Sequence, residues 1–276
     1  MRLRPVAAAV ALSVAGTLLV ASPSQAASRV SALTLLDQLK VSAESSSGYA
    51  RTKFGGWVDA NHDGQDTRAE VLISESRSTV TFTSSTHRTV KTGRWVSGYD
   101  RKTFTAASKL DIDHMVPLAE AWGSGAKTWS ASTRKAYAND LGYASSLVAV
   151  SAASNRSKSD RDPARWLPPS KAYRCAYVSS WVAVKWRWSL NVDKAEKAAA
   201  TATLKGCSTS SRLVAKPAKA TIVRAATSST APPSRLDPRF ATCTAATAAG
   251  YGPYVQGRDP EYAWYIDRDH DGVVCE

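Results

Sequence analysis

The chain has 276 residues, 36 Lys and Arg against 23 Asp and Glu, and a formal net charge of +13. That balance suits a polyanionic partner, whether nucleic acid, teichoic acid or an acidic membrane face, and does not choose among them. Four cysteines with no CxxC pair argue against a thiolate zinc site.

Arg2 and Arg4 precede an apolar run of 15 residues from Val6 to Val20, and Ser24-Gln25-Ala26 reads as a small-residue cleavage signal. This predicts a secretory signal peptide over 1–26, cut after Ala26, because the run is short for a membrane span. No other run reaches spanning length. The mature protein is expected to be secreted, extracellular or associated with the cell wall. Losing Arg2 and Arg4 leaves about +11 on about 250 residues, enough for one domain and something smaller.

Ser31 to Val41 spaces Leu33, Leu35, Leu36 and Leu39 for one helix face. Val71 to Ile73, Thr79 to Phe82 and Thr89 to Trp95 read as strands. Leu110 to Asp113 is a short strand delivering His114 at its end. Val116 to Gly123 and Ser132 to Leu141 read as helices, and Leu147 to Val150 as a second short strand with Asn155 just beyond it. Asp162-Pro163 marks a turn or helix start. Lys171 to Trp186 and Asp193 to Leu204 are helical, the second opening with Asp193 and Glu196 at capping-box spacing. Eight of the nine tryptophans fall in this stretch, and core packing is their simplest explanation. The domain is assigned to 27–207.

Residues 208–236 are rich in Ser, Thr, Ala and Pro, carry Arg212, Lys216, Lys219, Arg224 and Arg235, and hold no acid. They read as a basic flexible linker. A compact tail follows over 237–276. In an oxidising compartment an even cysteine count predicts two disulfides. Chain order suggests Cys175–Cys207 and Cys243–Cys275, although four cysteines allow three connectivities.

The chemistry concentrates in Leu110-Asp111-Ile112-Asp113-His114-Met115-Val116-Pro117-Leu118 and in Ser154-Asn155-Arg156-Ser157-Lys158-Ser159-Asp160. Together they supply a carboxylate, a general base, an amide and a cation, the inventory for cutting a phosphodiester beside a hard metal ion. Histidine titrates near neutrality and can activate water. Asp113 is a hard oxygen ligand for Mg²⁺ or Mn²⁺ and Asn155 a second, neutral one; such an ion needs few protein ligands because it keeps water and substrate phosphate. On a regular strand Asp113 and His114 diverge, so they converge only if the chain turns directly after Asp113. Asp111 shares the face of Asp113 and is positioned to orient it or His114.

These segments resemble the HNH, or ββα-metal, endonucleases, most closely the secreted bacterial branch with the signature D-x-D-H-x-V-P-L. The resemblance extends through Glu120-Ala121-Trp122, Ser124-Gly125-Ala126, Tyr137-Ala138-Asn139-Asp140-Leu141, Asn155 to Asp160, Asp162-Pro163, Trp166-Leu167-Pro168-Pro169 and, upstream, Asp66-Thr67-Arg68 and Glu70-Val71-Leu72. It implies an α+β fold, a ββα-metal nuclease core with added helices. It also implies His114 as general base, with Asp113 and Asn155 as metal ligands. Lys158 is implied as either a phosphate contact or a structural ion pair, and Arg68 as either a neighbour of the site or a brace for the hairpin. Gln65 and Thr89 stand where the family often has cysteines, a pair whose joint loss removes about 2–4 kcal/mol of stability and no catalytic group.

Asp267, Asp269 and Asp271 followed by Gly272 form the front of an EF-hand loop, closed early by Glu276. With Phe240 to Cys243, Ala248-Ala249-Gly250 and Gly257-Arg258-Asp259-Pro260, the tail resembles the excalibur module, which implies a small unit stabilised by a disulfide and Ca²⁺. A second EF-hand spacing, Asp59, Asn61, Asp63, Gly64 and Glu70, is a weaker calcium candidate because Asp66 replaces the usual apolar residue. The expectation is a secreted metal-dependent endonuclease acting on nucleic acid, mainly DNA, with low sequence specificity. An anionic cell-wall polymer is a second partner class. One rival is a non-catalytic, calcium-dependent cell-surface binding protein. The other is a wall-polymer hydrolase, for which Glu120 is the best-placed acid.

Overall fold

The computed structural model describes residues 28–225, 236–268 and 272–276. The signal-peptide assignment therefore lies outside the described residues. In chain order the first part runs β1 (Arg29–Ser31), α1 (Ala32–Asp37), α2 (Thr67–Glu75), β2 (Thr81–Phe82), β3 (Val90–Val96), β4 (Thr103–Ala106), β5 (Leu110–His114), α3 (Leu118–Gly123), α4 (Ala131–Ala138), β6 (Leu147–Ser151), α5 (Ala152–Lys158), α6 (Arg174–Arg187), α7 (Lys194–Lys205) and β7 (Leu213–Ala215). The tail contributes α8 (Cys243–Ala248), β8 (Tyr254–Val255) and β9 (Val273–Val274). This is a mixed α/β core with added helices and a small disulfide-linked C-terminal module. No helix among the described residues is long and apolar enough to cross a membrane.

The β5–β6 hairpin organises the core. The strands pair antiparallel from Leu110↔Ser151 to His114↔Leu147, and strand alternation sends successive side chains to opposite faces. Leu110, Ile112, Leu147 and Ala149 pack with α2 and β3 in one apolar cluster, through Leu72 and Trp95. Val150 belongs to the second, larger cluster, built on Leu35, Leu36, Phe54, Tyr99, Trp122 and Trp181. A two-stranded hairpin is marginal alone. Here α5 packs against it directly after β6, started by Ser151, whose hydroxyl accepts from Ser154 N. On β6, Glu75 at the end of α2 accepts a hydrogen bond from Ala149 N at 3.1 Å.

The stretch Val71 to Ile73, expected as a strand, lies inside α2. Its β-prone side chains are overruled by Asp66, whose carboxylate caps the helix by accepting from Ala69 N at 2.9 Å. Helical spacing then puts Ala69 and Leu72 on one buried face. Thr103 to Ala106 form a strand that the sequence reading passed over; they close a three-stranded sheet in the order β2–β3–β4. The capping box at Asp193 and Glu196 is present, as are both expected disulfides, Cys175–Cys207 and Cys243–Cys275.

Residues 208–225 are a strap across the first domain rather than a free linker. β7 pairs antiparallel with β1, Val30↔Val214 at its centre. Lys216 N donates to Ser28 O, Ala220 N to Arg187 O and Ala225 N to Thr128 O. Val214 is buried and Ala220 and Ile222 pack on the main core. Lys219 sits over the Trp186 ring at 3.8 Å, so part of the strap's charge is used within the chain.

Candidate active site

His114 is the last residue of β5. The chain turns after it, not after Asp113, so the two side chains leave opposite faces of the strand, as alternation requires. On one face the imidazole lies nearly parallel to the Trp57 ring, 5.3 Å between centroids and 9° between planes. Its Nε2 is 2.9 Å from the carbonyl oxygen of Ala138, the last residue of α4. A carbonyl only accepts, so Nε2 carries the proton and Nδ1 the lone pair. Burial pushes the imidazole pKa down to about 4, against the Ala138 hydrogen bond and with help from Arg51 and Lys158. The ring is neutral at neutral pH.

On the opposite face α5 supplies the partners. Asn155 Nδ2 donates to Asp111 Oδ2 at 3.1 Å, and both residues are half-buried. One helical turn on, Lys158 is fully buried; Nζ lies 2.5 Å from Asp113 Oδ2, 2.9 Å from His114 O and 3.0 Å from Met115 O. Tyr99 also donates to Asp113 Oδ2. Burial is the largest influence on both charges, raising Asp113 and lowering Lys158, and each is the main force opposing the other's shift. All three ammonium protons have partners, so Lys158 bolts α5 to the end of β5 and is out of reach of a phosphate. Arg68 donates through Nη2 to Ala107 O and Leu110 O at 3.2 and 3.0 Å and braces the start of β5.

The sequence predicts that a turn brings Asp113, His114 and Asn155 together. The structure instead pairs Asn155 with Asp111 and Asp113 with Lys158, and holds His114 from the other face. Sequence reading missed Tyr99, for which no motif signal exists, and Trp57 and the Ala138 carbonyl. The last lies within the Tyr137–Leu141 motif, but a main-chain acceptor leaves no trace in residue type.

A separate cluster joins Glu44, Glu120 and Glu196, whose carboxylate oxygens all lie within 4.8 Å of one another, a spacing suited to a metal ion. Lys185 Nζ stands among them at 3.4, 2.7 and 2.6 Å. Burial, opposed by Lys185, carries Glu44 and Glu196 up to about 7. Glu120 is thus part of a buried polar network. Glu44 and Glu120 also line a cavity of about 1070 Å³ with Asp160, Asp162 and Asp193. None of His114, Asp111 or Asn155 lines it.

The two EF-hand-like loops share one feature. Gly64 N donates to Asp59 Oδ2 at 2.8 Å and Gly272 N to Asp267 Oδ2 at 2.9 Å, with both glycines at positive φ, 92° and 86°. In the first loop Asn61 Nδ2 reaches Asp63 Oδ2 and Glu70 Oε1 at 3.0 and 3.3 Å, which links three of the four candidate ligands. In the tail, Asp269 and Asp271 lie outside the described residues; Glu276 is exposed.

Residues 62–202 match the family model described as GmrSD restriction endonucleases, C-terminal domain, slightly more than half of the chain. The chain belongs to this family. Residues 240–276 match the Excalibur calcium-binding domain. The chain is also 39% identical over 189 residues to an uncharacterized secreted protein of Arthroderma benhamiae, covering 68% of this chain and 90% of that protein. No solved structure matches it. The matched GmrSD-type region contains β5, β6 and α5 with Asp111, Asp113, His114, Ala138, Asn155 and Lys158; Trp57 lies just before it. The first domain is therefore a nuclease-family domain that carries, in addition, an acidic cluster of metal-holding spacing.

Proposed function

We propose that this protein is a secreted, divalent-metal-dependent endonuclease that hydrolyses phosphodiester bonds of DNA, and RNA by the same chemistry, with low sequence specificity. The observation that carries the reading is His114, neutral and fixed through Nε2–H with its Nδ1 lone pair free to take a proton from water. Secretion is supported by the likeness to a secreted protein of Arthroderma benhamiae, together with the leader-like segment Arg2 to Ala26.

The residues present fit a hard divalent ion. Two neighbouring ligands of an octahedral ion with bonds of about 2.1 Å lie about 3 Å apart, and the Asp111 and Asn155 side chains are separated by 3.1 Å. Which amide atom of Asn155 faces Asp111 is interchangeable by rotation, so its oxygen can be offered instead. Asn155 would hold Mg²⁺ or Mn²⁺ with Asp111 on this face of β5; Asp113, the carboxylate expected as a ligand, would join them only by breaking its buried ion pair with Lys158. When bound, the ion supplies charge stabilisation at the phosphoryl oxygen and help for the leaving 3′ oxygen. From the other face of β5, His114 would take the proton of the attacking water through Nδ1, while Lys158 and Arg68 hold the strand that carries it; for base and ion to serve one phosphate, the substrate must reach both faces around the end of the strand. Affinity comes from neutralising phosphates with a strongly basic chain and falls steeply with salt. In the tail, Asp267, Asp269, Asp271 and Glu276 would hold Ca²⁺ as the Excalibur module does; Asp59, Asn61, Asp63 and Glu70 form a second calcium candidate.

The test is nicking of supercoiled plasmid by wild type and His114→Ala with Mg²⁺, Mn²⁺ or Ca²⁺. Wild-type cutting that disappears in the variant is expected. If wild type stays inert with all three ions, the proposal fails; if His114→Ala cuts as well as wild type, the assigned base is wrong.

A further inference from the structure

We propose that Asn139 is a positioning residue for His114, acting through the two groups that hold the imidazole, the Ala138 carbonyl and the Trp57 ring. The inference rests on the reading of His114 as the base, and it concerns how that base is aimed.

Asn139 follows the last residue of α4, and its amide is used in full. Oδ1 accepts from Val58 N at 3.0 Å and lies 2.7 Å from Thr67 Oγ1. Nδ2 donates to Gly56 O at 3.1 Å and to Lys135 O at 2.9 Å. Gly56 and Val58 are the two neighbours of Trp57, so the amide grips the main chain on both sides of that residue. The peptide joining Asn139 to Ala138 carries the carbonyl that receives His114 Nε2. One half-buried side chain therefore ties the acceptor that fixes the tautomer to the ring that fixes the plane.

Helix termination alone does not account for this arrangement. Ending α4 needs only the contact to Lys135 O and the main-chain bond from Asn139 N to Ala136 O at 3.3 Å. The contacts to Gly56, Val58 and Thr67 reach segments more than 70 residues away in sequence, and two of them bracket Trp57. Without the amide, the 56–58 segment loses its tether to α4. The ring and carbonyl then move independently, and Nδ1 no longer points along one direction. A misplacement of about 1 Å at a reacting group lowers turnover by up to about 100-fold.

The experiment uses the full secreted chain at neutral pH. The side-chain nitrogens of its histidines are read by long-range ¹H–¹⁵N correlation; there are four, so His114 is identified by its loss in His114→Ala. Wild type should show a single Nε2–H tautomer for His114. Asn139→Ala should show a mixture of tautomers and a fall in kcat of about 10- to 100-fold, with KM for plasmid within about 2-fold. Trp57→Phe, which keeps a flat ring, should retain more kcat than Trp57→Leu; this pair decides the matter if Asn139→Ala does not fold. The proposal is overturned if Asn139→Ala keeps the wild-type tautomer, whatever happens to kcat, or if the two Trp57 variants behave alike. The tautomer readout needs no catalysis, so a nuclease assignment that fails leaves the clamp testable, and a clamp that fails leaves the His114→Ala result standing.

Discussion

Replacing Lys158 by Met separates the two roles open to this residue. The ammonium is fully buried and holds three oxygens at 2.5–3.0 Å: the Asp113 carboxylate and the main-chain carbonyls of His114 and Met115. Met fills most of the volume, so little of the effect comes from a cavity. What remains is a carboxylate buried with Tyr99 as its neutral donor, and breaking a buried ion pair from one side costs about 3–5 kcal/mol. Two carbonyls losing a donor add to this, by about 1 kcal/mol each or more. A loss of at least about 3 kcal/mol is therefore expected in urea unfolding, a large part of a typical domain's stability. Asp113→Asn in the Lys158→Met background should recover part of it, because the uncompensated charge disappears; the double-mutant cycle should give a coupling of about 2 kcal/mol or more. A phosphate contact predicts the reverse: near-native stability, with weaker and less salt-dependent DNA binding. Lys158→Met within about 1 kcal/mol of wild type would refute the brace.

Glu75 gives a pH effect with a definite sign. Burial, opposed by the Ala149 hydrogen bond, raises its pKa from 4.5 to about 7. The folded state holds this proton more tightly than the unfolded chain does, so the contribution is complete below pH 4.5 and is lost as pH rises through 7. Glu75→Gln keeps an oxygen for Ala149 N and should flatten the decline in stability between about pH 4.5 and 7; an unchanged slope in chemical denaturation across that range would count against the burial argument. For the strap, a chain ending at residue 225 should melt like the full-length first domain. One ending at 207 exposes β1 and the sites of Val214 and Ile222 and should lose about 3 kcal/mol, seen as a lower melting temperature.

Elements whose signal is local were legible. The capping box at Asp193 and Glu196, the short strands that became β5 and β6, and the two disulfides each depend on neighbours in sequence or on cysteine order. α2 was not, because Val71, Leu72 and Ile73 carry a strand-like composition and only Asp66 reveals the helix start. The strap was missed for a related reason. Averaged over 208–236 the composition is that of a loop, yet Leu213, Val214 and Ile222 suffice to dock it once β1 offers an open edge. At the site, residue types were readable but their pairing was not. Alternation predicted that Asp113 and His114 diverge, and which carboxylate faces Asn155 depends on how α5 crosses the hairpin, which no spacing encodes. The Ala138 carbonyl could not be foreseen, since every residue has one.

The two buried lysines bear on where a metal ion can sit. Around Lys185 three carboxylates share one ammonium, and burial, opposed by Lys185 and reinforced by Glu120, raises Glu44 and Glu196 to about 7. Those same neighbours, led by Glu196 and Glu120, outweigh burial and keep the Lys185 pKa above its ordinary value. A divalent ion entering this cluster must displace an ammonium that the cluster itself holds charged. Asn155 and Asp111 have no ammonium bonded to them among the described residues, Lys158 being held by Asp113, and both side chains are half-buried rather than sealed. Lys185→Met should therefore convert the glutamate cluster into a metal site. Wild-type stability should change little on adding Mn²⁺ beyond what the hairpin and calcium loops contribute. The destabilised variant should regain stability with Mn²⁺, by about 2.7 kcal/mol at a free concentration 100 times the dissociation constant. Equal Mn²⁺ stabilisation of wild type and Lys185→Met, measured by thermal unfolding with Glu196→Gln as a control lacking one ligand, would show that the ammonium does not guard the cluster.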